Sequence, residues 1–277
     1  MNFTLCPYVC KYQATIGGFV RAGIDAALCE LLIRKSVVLA KSARDAAWTQ
    51  IEAQTTAHTR TRTRPLVAAS IGTYGASLAD GSEYRGDFSM TIEELKDFHR
   101  TRWLLLGTEA PDVYACETVP CLLEVEALLQ LMLEPEVRAL GIPAWIAVSC
   151  KDGSSLNSGE PLTAFADLVK TYGGKGADLL CAVGINCTPP HYCREALNTL
   201  AERCALPLVV YANMGESWDA VKKEWMPDTA YSDRDYAAEA TNWCAIGGGE
   251  ATGRVRIVGG CCRTRPSTIT ALRKALC

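Results

Sequence analysis

A chain of 277 residues, 49% of them hydrophobic, has material for one large core and reads as a single domain over residues 1–277. A net charge of -3, with acidic and basic residues mixed along the chain, excludes the electrostatic footprint of a nucleic-acid binder; the one basic cluster, Arg60, Arg62 and Arg64, alternates with threonine and reads as a solvated loop. No apolar stretch approaches the roughly 18 residues of a membrane span, and no secretory leader pattern opens the sequence. The reading is a soluble, cytoplasmic protein without a membrane partner, so the fourteen cysteines are expected to be reduced.

In chain order, Leu5 to Tyr12 predicts a first strand. A long helix follows, running to about Trp48, with Ile24, Leu28, Leu31 and Leu32 as its apolar stripe. From residue 65, short runs rich in β-branched residues alternate with segments of helical period, the pattern of repeated βα units on a parallel sheet. Strands are expected at Leu66 to Ile71, Val113 to Cys116, Trp145 to Ser149, Leu179 to Ile185, Leu206 to Tyr211 and Val255 to Val258. Helices are expected at Ile92 to Leu106, at Leu122 to Leu133 just short of Pro135, and at Pro266 to Leu276. Seven βα units with strands apolar on both faces fit the α/β class as a (β/α)8 TIM-type barrel lacking its first unit. An open doubly wound sheet is the alternative. Its G-x-G-x-x-G turn after a first strand is missing, although Gly247, Gly248, Gly249 and Gly253 make a flexible loop near the C-terminus.

Barrel enzymes place their chemistry at the C-terminal ends of the strands. One strand ends in Gly184-Ile185-Asn186-Cys187 and the last in Gly259-Gly260-Cys261-Cys262, and in barrel order a single strand separates them. Three thiolates with one open position suit catalytic zinc. Vicinal cysteines rarely close an unstrained disulfide, but on a regular strand they point to opposite faces, so both ligate only if the backbone turns there, as Gly259 and Gly260 permit. The plainer alternative is that Cys261 and Cys262 are small core residues. Glu117 ends another strand and is placed either to bind an ammonium, to act as a base, or simply to cap the next helix. Tyr12 and Tyr74, also near strand ends, suit either ligand contact or packing. Cys116, Cys150 and Cys181 lie in apolar runs and read as small hydrophobes. His58, His99 and His191 have no metal-ligand spacing and receive no role.

Over nearly its whole length the chain resembles the homocysteine S-methyltransferase family. The matching stretches are Tyr12-Gln13-Ala14-Thr15, Gly72-Thr73-Tyr74-Gly75-Ala76, Asp80-Gly81-Ser82-Glu83-Tyr84-Arg85-Gly86, Cys116-Glu117-Thr118, Gly184-Ile185-Asn186-Cys187 and Gly259-Gly260-Cys261-Cys262-Arg263. The resemblance is to the branch that uses S-methylmethionine or S-adenosylmethionine rather than to the betaine branch. It implies that Cys187, Cys261 and Cys262 ligate Zn2+, that Glu117 holds the homocysteine ammonium, and that Tyr12 lies beside the metal. It further implies that homocysteine, bound to zinc as a thiolate, attacks the methyl group of a sulfonium donor.

Three departures accompany these matches. The family's first strand carries an Asp-Gly-Gly segment, and the residues before Tyr12 here, MNFTLCPYVCK, do not; the natural product is expected to begin roughly 30 to 50 residues earlier, about one βα unit. Gly72-Thr73-Tyr74 replaces Gly-Pro-Tyr, and Tyr211-Ala212-Asn213-Met214-Gly215-Glu216 replaces Tyr-Pro-Asn-Ser-Gly-Glu, changes that bear on the choice of donor. A competing reading of a different class is a non-catalytic zinc-binding barrel that serves a binding role.

Overall fold

Strands apolar on both faces persist only where both faces are covered. Here β1 (Ala68–Gly72), β2 (Val113–Val119), β3 (Ala144–Val148), β4 (Leu180–Asn186) and β5 (Leu208–Ala212) are buried at every position except one in β4. That exception is Cys181, which is exposed where an apolar site was expected. The computed structural model describes residues 15–54, 63–175, 177–219, 224–226, 230–247 and 253–277; the expected strand from Leu5 to Tyr12 lies outside them. A short antiparallel pair, β6 (Ser217–Asp219) and β7 (Glu224–Met226), precedes the last strand, β8 (Val255–Gly260).

The parallel sheet has the order β1-β2-β3-β4-β5-β8. Each strand joins beside its predecessor in the chain, with no reversal of direction such as a doubly wound sheet requires. The connecting helices are α1 (Ile16–Arg21), α2 (Ala26–Gln54), α3 (Tyr74–Leu78), α4 (Ile92–Gly107), α5 (Leu122–Leu131), α6 (Pro135–Ala139), α7 (Leu162–Gly173), α8 (Pro190–Arg203), α9 (Asp233–Cys244) and α10 (Pro266–Leu276). Thr91 and Glu94 start α4 with a reciprocal capping box, and proline opens α6, α8 and α10, where a missing N–H costs nothing.

Strand alternation divides the core in two. Ile71, Cys116, Ile146, Val183 and Val210 face the helices and share one large cluster with Leu128, Phe165, Leu197 and Trp243. Ala68, Val113, Ala115, Trp145, Ala147, Ala182, Val209 and Tyr211 form a second cluster, against which, among the described residues, Ile257 and Cys261 also pack. Thus the helices cover one face, and the other is filled by the strands' own side chains. Ser70, Glu117 and Asn186 fall on this second face by the same alternation. Gly184 permits close approach: a Cβ there would lie 1.7 Å from the carbonyl oxygen of Val209 on β5.

The long helix α2 forms as expected but presents a different side to the core. Leu28, Leu31 and Leu32 are exposed, whereas Cys29, Ile33, Val37, Ala40 and Arg44 are buried. Polar anchors select this side: Arg44 pairs with Asp112 at 2.8 Å, and Lys41 donates to the carbonyl of Glu109 at 2.9 Å. Among the described residues no helix is long and apolar enough to cross a membrane.

Candidate functional site

At the rim of the second face, β4 and β8 deliver three thiols to one point. The sulfurs of Cys187, Cys261 and Cys262 all lie within 4.8 Å of one another, and Cys187 Sγ is 3.3 Å from Cys262 Sγ. The backbone makes this convergence possible in two places. After Asn186, Cys187 takes a left-handed φ of 50°, which breaks the strand alternation that would otherwise send it toward the helices. After Gly260, the chain leaves the sheet in a turn closed by Thr264 N–H to Cys261 O at 3.2 Å, so Cys261 and Cys262 no longer diverge. A Cβ on Gly260 would lie 2.5 Å from Thr264 Oγ1, so the glycine leaves room for that turn. Arg263, itself left-handed with φ 69°, locks the turn by a two-pronged ion pair to buried Glu216 at 2.6 and 3.2 Å.

The three thiols share a single charge. Hydrogen bonds from Cys187 and then Cys261 hold the Cys262 thiol down to about 3. The Cys261 thiol is pushed well up by its bonds to Cys187 and Cys262 and by burial. For Cys187, a bond with Cys261 pulls the thiol down, but its bond to Cys262 together with burial pushes it up overall. Cys262 is therefore the thiolate, accepting from Cys187 S–H. Such a set is soft, anionic and confined, which suits zinc: bonds of about 2.3 Å at tetrahedral angles set sulfurs about 3.8 Å apart. The Tyr84 hydroxyl borders the cluster, 3.9 Å from Cys187 Sγ.

Beside the thiols stands a buried carboxylate. Glu117 Oε1 accepts from Ser70 Oγ at 2.6 Å, and the Tyr211 hydroxyl, which also accepts from Trp145 Nε1 at 3.1 Å, bonds to the same carboxylate. Next to it Thr118 is left-handed, with φ 60°. Asn186 links the two halves of the site, since its amide engages Thr118 and its Nδ2 reaches Cys261 Sγ at 3.8 Å.

A family model described as homocysteine S-methyltransferase matches residues 10–276. The chain belongs to the homocysteine S-methyltransferase family. Homocysteine S-methyltransferase 1 of Brassica oleracea var. italica is 41% identical over 268 residues, covering 96% of this chain and 77% of that protein. Among solved structures, the metallated form of the homocysteine methyltransferase MmuM from Escherichia coli superposes with a TM-score of 0.75 at 36% identity, over 97% of this chain and 78% of that one. Its oxidized form gives a TM-score of 0.77 at 35% identity, with the same coverage.

The structure thus brings together Cys187, Cys261, Cys262 and, on the same face, Glu117. The Tyr74 ring packs edge-on against Phe88 and Phe98, 5.2 and 5.1 Å between centroids, and lines a pocket between α1, α3 and α4. Tyr12 lies outside the described residues. Sequence reasoning gave no role to Tyr84, Asn186 or Arg263, although each sits in a motif shared with the family, nor to Glu216, which ends a segment that departs from it. It also passed over His99, which is fully buried and donates from Nε2 to Glu124 at 2.8 Å. Glu124 in turn accepts from Thr73 Oγ1 and Tyr74 N–H at 2.5 and 2.6 Å, fixing the loop after β1.

Proposed function

We propose that the chain is a zinc-dependent S-methyltransferase that moves a methyl group from S-methylmethionine, or from S-adenosylmethionine, to homocysteine, giving methionine. The observation that carries this reading is the convergence of three thiols beside one buried carboxylate. The fold that accompanies it is a single (β/α)8-type barrel domain, a reading supported by the sequential strand order and by the packing of the described helices against one face of the sheet.

In this reading Cys187, Cys261 and Cys262 would hold the zinc. When bound, the metal supplies a Lewis acid that keeps the acceptor sulfur deprotonated at neutral pH. The chain's own residues then bind and orient. Glu117, braced by Ser70 and Tyr211, receives the homocysteine ammonium; its burial strengthens that pairing relative to water. Asn186 keeps the carboxylate strand and the thiol strand in fixed relation, so that the acceptor's two ends are held together. With the acceptor's proton already lost, methyl transfer needs no general base from the chain.

The test is turnover of homocysteine with each donor by the purified chain, alongside metal analysis. Methionine formed in proportion to bound zinc is the expected result. A zinc-loaded, folded protein that binds homocysteine and methylates it with neither donor overturns the proposal.

A further inference from the structure

The geometry points to Glu83 as the anchor for the sulfonium charge of the methyl donor, an inference that rests on the methyltransferase reading above. Glu83 lies in a short 3-10 turn, Ser82–Tyr84, and is only 7% exposed. Its Oε2 is buried and has no hydrogen-bond partner. A buried, unpartnered carboxylate oxygen is costly, and evolution of a stable fold does not require one on a loop. An orphan of this kind is explained when a ligand completes it.

Its surroundings define that ligand's charge. Burial, first, and then the charges of Asp80 and Cys262 push the Glu83 carboxyl above the usual carboxylate range, against the opposing pull of its own backbone N–H and of Arg85. Arg85 is half exposed and already committed to Asp87 at 2.9 Å. A cation seated here relieves the desolvated, unpartnered oxygen of the carboxylate.

The position narrows the cation further. Only the three cysteines have ligand atoms that all fall within 4.8 Å of one another among the described residues, so Glu83 stands outside the metal's own ligand set. The next residue, Tyr84, touches that set through its hydroxyl. Glu83 is therefore the chain neighbour of a residue that borders the thiols, and the proposed seat of the donor's sulfonium is there, next to the bound acceptor. An ammonium brings three donors and needs several acceptors. A sulfonium brings charge without N–H or O–H donors, which one orphaned carboxylate oxygen can satisfy. In the reaction the donor's S–CH3 bond breaks with its electron pair returning to that sulfur, while the homocysteine thiolate forms the new S–CH3 bond. The donor sulfur becomes neutral, and its attraction to Glu83 ends as the product forms.

The experiment compares wild-type and Glu83→Gln in their zinc-loaded forms by calorimetry. Three probes are titrated: S-methylmethionine, trimethylsulfonium, which has the charge without the amino-acid end, and methionine, which has the amino-acid end without the sulfonium. Unchanged zinc stoichiometry and homocysteine affinity report that the variant is folded. Glu83→Gln is expected to weaken S-methylmethionine and trimethylsulfonium about tenfold or more and to leave methionine unchanged. Equal weakening of methionine, or unchanged trimethylsulfonium, overturns the assignment. Wild-type protein without methyltransferase turnover sinks the parent reading, whereas a turning-over wild type whose donor affinity survives Glu83→Gln sinks this inference alone.

Discussion

Asn186 grips Thr118 from both sides: its Oδ1 accepts the Thr118 backbone N–H at 2.7 Å, and its Nδ2 donates to Thr118 Oγ1 at 2.8 Å, across 68 positions of sequence. The grip holds a β-branched residue in the left-handed region, where it is sterically disfavoured. It also ties the Glu117 strand to the thiol strand. Replacing Asn186 by alanine leaves the Thr118 N–H buried without its partner and is expected to cost about 2 to 3 kcal/mol. Urea unfolding measures this, and a loss under about 0.5 kcal/mol would show that Thr118 holds its conformation unaided.

The thiol cluster makes a sharper prediction. Cys262 carries the charge of the metal-free set, and removing it leaves only two of the three converging thiols. Cys262→Ala is expected to abolish both zinc binding and activity, because two ligands do not hold a catalytic zinc. Metal analysis after gel filtration reads the outcome. Stoichiometric zinc in a protein with all three of Cys187, Cys261 and Cys262 changed to alanine would refute the ligand assignment.

Glu117→Gln removes a charge while keeping the shape that Ser70 and Tyr211 surround. Homocysteine binding is expected to weaken by about 1.5 to 3 kcal/mol, the range for one charged hydrogen bond, with zinc content unchanged. If the variant loses zinc yet binds homocysteine as before, the carboxylate serves the metal centre and not the substrate.

How far these features were legible from sequence depends on the distance over which each is built. The strands were legible because burial on both faces writes a continuous apolar run, as in Trp145 to Val148. The buried side of α2 was not, because the helix has two apolar faces. Leu28, Leu31 and Leu32 make the bulkier one, yet Arg44 and Lys41 dock on Asp112 and Glu109 and turn Ile33 and Val37 inward. The cysteines could be placed at strand ends by counting. Their convergence depends on the left-handed backbone at Cys187 and the turn after Gly260, and only the turn left a glycine signal. His99 gave no signal, since its partner Glu124 lies 25 positions away.

That histidine supports the last prediction, which concerns pH. His99 is fully buried between Glu124 and Arg102; Nε2 faces the carboxylate, while Nδ1 lies 3.2 Å from the Arg102 guanidinium. Since a guanidinium only donates, Nδ1 must accept, which fixes the neutral tautomer. Burial, first, and the nearby Arg102 charge lower the histidine's affinity for protons, outweighing the opposing pull of Glu124. The unfolded chain therefore binds a proton more readily than the folded one. The stabilisation is complete above the unfolded histidine value of about 6.5 and is lost as pH falls below it toward the lower folded value, at about 1.4 kcal/mol for each unit separating the two. The wild-type melting temperature is expected to drop between pH 7 and pH 5, and His99→Gln, which cannot titrate, is expected to have a shallower decline from a lower starting point. Thermal melts across that range decide it: parallel declines in the two proteins would mean that His99 does not set the acid limit.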